Sequence, residues 1–229
     1  MQLNIKSYAE FEKLLQALAE EAMHANFFYN LLENLHRATH EYVREFNEAN
    51  AFWGLTFQAL SDAALIRLCR IYDTHPKAIN LLNLLDTIKA NIHIFDVEDF
   101  RQRLKDDPYV DSLSQTARKP DIAQLNDDID YVSNKNPLVQ KLLIWRGNIL
   151  AHRNARNVIN ERNLVAEHPF SLKDMSDLLG RGTGIINHYS SLFREVTFSP
   201  QIVGHDDYMY VLSCMREKSK RLAEEQDWE

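Results

Sequence analysis

Two cysteines, six prolines and six glycines are all that 229 residues contain of these types, and each scarcity excludes something. Cys69 and Cys214 form no disulfide framework and stand in no zinc-ligand spacing. So little Gly and Pro argues against β-sandwiches, collagen-like repeats and loop-rich scaffolds. No apolar run approaches the ~20 residues of a membrane span. The opening stretch MQLNIKSYAEFEK lacks the apolar core of a secretion signal. An excess of positive charge is missing too: 33 Asp+Glu outweigh 26 Lys+Arg, a net −7. That removes a uniformly basic nucleic-acid surface but leaves room for a local basic site. The chain reads as a soluble, cytoplasmic protein with no membrane partner.

What is present is helical periodicity. With 45% hydrophobic and 26% charged residues the chain can bury a sizeable core, and a single domain over 1–229 is expected. Ser7-Tyr8-Ala9-Glu10 fits a capping box, followed by Phe11, Leu14, Leu15, Leu18 and Ala22 at helical spacing. A second stripe, Phe27, Phe28, Leu31, Leu32, Leu35, Tyr42 and Phe46, continues it as one long helix or two. Further helices are expected over 50–73, 77–91, from Asn136-Pro137 to about Arg153, from Ser171 to about Val196, and over about 206–225. Residues 96–136 hold ten acidic and six basic residues and few large apolar ones, so a polar mobile segment with one or two short helices, outside the core, is expected there. Strand signals are absent apart from pieces such as Gln201-Ile202-Val203. The fold class is all-α, a helical bundle.

The stretch from Trp145 to Arg153 stands out. On a helical wheel centred on Arg146, Leu142, Leu143, Ile149 and Leu150 fall within about 60° on either side, which puts a guanidinium in an apolar face. His152 falls beside Trp145 and Asn148. An arginine so placed needs a carboxylate, a second subunit or a bound anion. One reading is a phosphate-binding Arg beside a general acid/base His. The other is a core arginine paired with an acid such as Asp73, and a histidine at a helix end. Residues 146–162 contain Arg146, Arg153, Arg156 and Arg162 against one Glu, a local net +3 that can steer a polyanion.

Arg146-GNILA-His152, on a helix of an all-α bundle, resembles the Arg-x4–6-His signature of the HEPN superfamily (higher eukaryotes and prokaryotes nucleotide-binding). The helix 50–73, with Trp53 and Leu65-Ile66-Arg67-Leu68-Cys69-Arg70-Ile71-Tyr72-Asp73, looks like the abortive-infection-U-like branch, over about residues 25–200. Spacing alone does not select the motif, because Arg70/His75, Arg162/His168 and Arg181/His188 satisfy it as well. Only Arg146/His152 lies in a strongly apolar helix with a polar residue near the arginine.

The resemblance implies a HEPN-like bundle, an RNA substrate, and a metal-independent endoribonuclease with no cofactor. It implies a homodimer in which two motif helices meet at one cleft, and a role in prokaryotic defence or a toxin–antitoxin pair with an antitoxin partner. His152 would act on the ribose 2′-OH or the leaving 5′-oxygen. Arg146 would stabilise charge on the phosphoryl group, and Asn148 would hold the phosphate or orient His152. The sequence departs from the pattern at Gly147, where the family often has Asn, Asp or His. It also departs at Asn154, where some members carry a modified Tyr, so that control is not expected. An inactive HEPN-like module that binds a protein or RNA is the alternative reading, and an antitoxin-like helical protein is a third.

Other constellations carry less. Arg70 and Asp73, at i and i+3, read first as an ion pair and second as a carboxylate orienting Arg146 or His152; Arg70 and Asp73 are supporting candidates with Arg153 and Arg156. Glu33, His36 and His40 have a spacing that could hold zinc but read as a solvated face, so no metal site is assigned. Leu179-Gly180-Arg181-Gly182-Thr183-Gly184 lacks the Lys-Ser/Thr ending of a phosphate loop, and its glycines read as a close helix crossing or a helix break. Cys69 and Cys214 both read as core residues.

Overall fold

The computed structural model describes residues 5, 7–150, 159 and 163–226. Every regular element among them is helical: α1 (Tyr8–Ala38), α2 (Val43–Glu48), α3 (Asn50–Ile71), α4 (Leu81–Ala90), α5 (Val97–Arg103), α6 (Val110–Leu113), α7 (Ile122–Val132), α8 (Pro137–Trp145), α9 (Leu164–Glu167), α10 (Leu172–Arg194) and α11 (Asp207–Gln226). A 3-10 turn covers Ile92–Phe95, and a π-turn over Arg146–Leu150 continues α8. No helix among the described residues is long and apolar enough to cross a membrane.

Side-chain caps set most helix starts. Ser7 Oγ accepts from the Glu10 N–H, Asn80 Oδ1 from Asn83, and Asn136 Oδ1 from Leu138, with Pro137 in the first turn. Ser171 and Asp174 close a reciprocal capping box at the head of α10. The first stripe and the second as far as Leu35 form one helix of 31 residues, α1, whose apolar stripe faces α3 and α10. Tyr42 stands at the N-cap of the separate α2, and Phe46 lies within it. Phe11, Leu15, Leu18, Leu68, Ile186, Tyr189 and Phe193 make the centre of the core. A smaller cluster forms where the end of α1 meets α2, α3 and α11, around Leu35, Tyr42, Phe46, Trp53 and Leu212.

Three expectations need correction. Residues 96–136 are not outside the core: Phe100, Leu125 and Val132 are buried, on three short helices rather than one or two. Arg103 also ties this segment to the rest through the carbonyls of Ile94 and Phe193. Cys69 is buried as expected, but Cys214 is exposed on α11. The helix expected over 77–91 begins only at Leu81, because 74–80 forms a turn held by Asn80 and Asn83.

The 180–184 glycines interrupt nothing; α10 runs through them. A Cβ on Gly182 would meet Tyr72 Oη at 3.3 Å, so this glycine is what lets α10 lie against the end of α3. Tyr72 Oη completes the junction by donating to the Leu178 carbonyl at 2.7 Å. That junction fixes the end of α3, and Asp73, two residues past Ile71, reaches the motif from there.

Candidate functional site

Arg146 sits where α8 passes into the π-turn. Val139 and Leu142 on α8 are fully buried, and Leu138, Leu143, Trp145 and Leu150 pack against the same core. The apolarity of this helix is thus used largely within the chain. Trp145 Nε1 donates to the His168 carbonyl at 2.6 Å, and its ring lies 5.8 Å from Phe170, which anchors the helix end. Turns of π geometry are uncommon inside helices and gather at functional sites.

The guanidinium does not lie sealed in an apolar face, as the wheel placed it. It reaches Asp73 with two parallel bonds, Nη1 to Oδ1 at 2.6 Å and Nη2 to Oδ2 at 2.9 Å. The side chain of Arg146 is 41% exposed and that of Asp73 only 11%. A bidentate fork fixes both the position and the plane of the guanidinium. Cys69 lies close to this pair, and burial pushes its thiol up to about 12 despite the nearby positive charge of Arg146. It is therefore no nucleophile.

The favoured pairing of Arg70 with Asp73 is overturned. Arg70 Nη1 reaches Glu21 at 2.8 Å, and Arg67 Nη1 reaches the same carboxylate at 2.7 Å. The reason is local. Asp73 lies past Ile71, the last residue of α3, so helical i, i+3 spacing no longer governs where it points. Glu21, on α1, is the residue that sequence reasoning missed; only the packing of α1 on α3 brings it there.

Asn148 donates its side-chain amide to the Ile144 carbonyl at 3.0 Å, one turn back. His152, Arg153 and Arg156 lie outside the described residues. Gly147 is exposed, and a Cβ added there meets nothing within 4 Å, so glycine is not sterically required where the family often has a polar residue. The zinc reading of Glu33, His36 and His40 loses two members to other tasks: Glu33 pairs with Arg37 at 2.7 Å, and His36 stacks on Phe57 at 4.5 Å.

A cavity of about 310 Å³ opens beside Asp73, lined also by Glu21, Arg70, Ala78 and Ile79. A larger one, about 730 Å³, lies between α1 and the segment before α11, lined by residues such as Phe27, Phe28, Arg37, Pro200 and His205. Neither described motif residue, Arg146 nor Asn148, lines the larger cavity.

The model of the HEPN AbiU2 family matches residues 8–212, a longer span than the 25–200 the resemblance covered. No curated protein and no solved structure matches the chain. The all-helical fold agrees with the family, and the family is associated with abortive-infection defence. The match takes in α1 to α10, the Arg146 site and the first residues of α11, and the chain therefore belongs to the HEPN AbiU2 family.

Proposed function

We propose that the chain is a metal-independent endoribonuclease that acts as a cytoplasmic homodimer in abortive-infection defence or a toxin–antitoxin pair. The observation that carries this reading is the state of Arg146: gripped on one side by both oxygens of a nearly buried Asp73, and 41% exposed on the other. A guanidinium has five N–H groups, and this grip engages two of them. The remainder can meet a phosphoryl oxygen without any rearrangement of Arg146. Such preorganisation matters because the donor is already aimed where charge develops.

In the proposed reaction His152 takes the proton of a ribose 2′-OH. The 2′-oxygen bonds to the adjacent phosphorus, the bond from phosphorus to the 5′-oxygen breaks, and that oxygen takes up a proton. The products are a 2′,3′-cyclic phosphate and a 5′-OH end. Arg146 stabilises the negative charge on the phosphoryl oxygens. Asn148 steadies the turn that carries Arg146, through its bond to Ile144. Arg153 and Arg156 add charge that attracts the RNA chain. Asp73 touches no substrate; it positions Arg146.

Two observations favour the second reading, an inactive module that binds a protein or RNA. Asp73 neutralises the formal charge of Arg146, and Gly147 stands where the family often has a polar side chain. Cleavage of a labelled total-RNA mixture in EDTA, by wild type and His152→Ala side by side, separates the two. The nuclease reading expects cyclic-phosphate ends from wild type, lost in the variant at unchanged helicity. Undiminished cleavage by His152→Ala removes that residue from the mechanism, and no cleavage by a folded wild-type dimer favours the module.

A further inference from the structure

Asp73 Oδ1 has a second donor. Besides Arg146 Nη1, it accepts the backbone N–H of His75 at 3.0 Å. One carboxylate oxygen thus joins the motif arginine to the turn between α3 and α4. His75 is also the histidine of Arg70/His75, one of the Arg–His spacings that the motif argument set aside. The fold brings the histidine of that spacing and the arginine of the motif to one carboxylate, Asp73.

That turn is built rigidly. Asn80 and Asn83, 1% and 2% exposed, both donate side-chain amides to the His75 carbonyl, at 3.1 and 3.0 Å. The same two amides also reach the Ala78 carbonyl. Two buried polar side chains are thus committed to a turn whose own side chain, His75, is exposed. The imidazole is oriented as well: the Lys77 N–H donates to Nδ1 at 3.2 Å. In the neutral ring that bond assigns the proton to Nε2. No described residue accepts the Nε2–H. Arg70 lines the cavity next to the same carboxylate, held there by Glu21.

We infer that His75 belongs to the anion site around Arg146, donating its Nε2–H to a phosphoryl oxygen of bound RNA. The identity of the anion rests on the proposed nuclease reading; the donor geometry does not. His75 acts here as a binding residue, and His152 keeps the proton-transfer role.

Two substitutions divide the ring. His75→Asn keeps an acceptor near Nδ1 for the Lys77 N–H and loses the far donor. His75→Gln keeps a terminal donor near Nε2 and loses the near acceptor. RNA affinity of the full chain is measured in a His152→Ala background, so that binding is read without cleavage, together with imidazole nitrogen NMR during titration with RNA and with inorganic phosphate. His75→Asn is expected to weaken RNA binding about tenfold or more, and His75→Gln about threefold or less. The His75 Nε2 signal is expected to shift on titration. A turn-only role gives the reverse order, since Gln then loses the useful group; that order, or wild-type affinity in both variants, overturns the inference. A shift with inorganic phosphate as well as RNA upholds a general anion site, and a shift with RNA alone upholds an RNA-specific one. A shift with phosphate in a protein that cuts no RNA keeps the site and defeats the nuclease reading. RNA cleavage unaffected by either His75 variant does the opposite.

Discussion

Arg118 and Arg146 both pair with a carboxylate, and the two pairs are built in opposite senses. In the first the arginine is hidden and the acid is not: Arg118 is 4% exposed and Glu195 38%. Its guanidinium also donates to the carbonyls of Ser191 and Leu113 and lies 4.1 Å from the centre of the Phe100 ring. In the second the acid is hidden and the arginine is not: 11% for Asp73 against 41% for Arg146. A buried arginine ringed by carbonyls and an aromatic face joins elements together. An arginine held from behind by a buried acid presents its remaining donors outward. The proposed chemistry needs the second arrangement, because only an accessible donor can meet a substrate.

Breaking the hidden pair should cost the most stability. Arg118→Leu keeps much of the stem volume but removes the bonds to Ser191, Leu113 and Glu195. A loss of about 2–4 kcal/mol is expected, or about 5–12 °C in melting temperature, with cleavage by the folded fraction unchanged. Calorimetry beside a cleavage assay checks this, and a stable Arg118→Leu protein would erase the contrast. Next comes Asp73→Asn, which keeps the shape and weakens the grip on Arg146. Cleavage should fall about tenfold, while melting shifts by no more than about 4 °C, as for a partly exposed pair. Single-turnover rates at saturating RNA separate this positioning effect from weaker binding. The smallest effect belongs to Gly147→Asn. Open space surrounds that position, so melting should stay within about 2 °C of wild type, as a thermal-shift assay reads.

Helix starts were legible because they are local. Ser7, Asn136 and Ser171 each announce a cap within three residues of sequence, and each makes it. The core contribution of 96–136 was not legible. Phe100, Leu125 and Val132 sit singly among charges, and their burial depends on which distant helices they meet. Arg146 was visible by its wrong chemistry for an apolar helix. Its exposure was not, because a 100° wheel assumes α geometry and the backbone changes to a π-turn at that residue. The partner of Arg146 was legible in the reading of an arginine paired with an acid such as Asp73, although an i, i+3 rule also pointed Asp73 at Arg70, beyond the end of the helix. Glu21 carries no motif at all; the packing of α1 on α3 alone makes it a neighbour of the site. His75 and the Asn80–Asn83 brace, by contrast, sit close to Asp73 in sequence, in a turn that no helical period marks.

Arg146→Ala tests the central claim most directly, with RNA cleavage and thermal melting measured on the same sample. An outward-presented arginine predicts a fall in cleavage of at least about a hundredfold, with a melting shift below about 3 °C. A variant that cuts RNA at the wild-type rate, or that loses stability as Arg118→Leu does while still cutting, would contradict it and make Arg146 a second structural arginine.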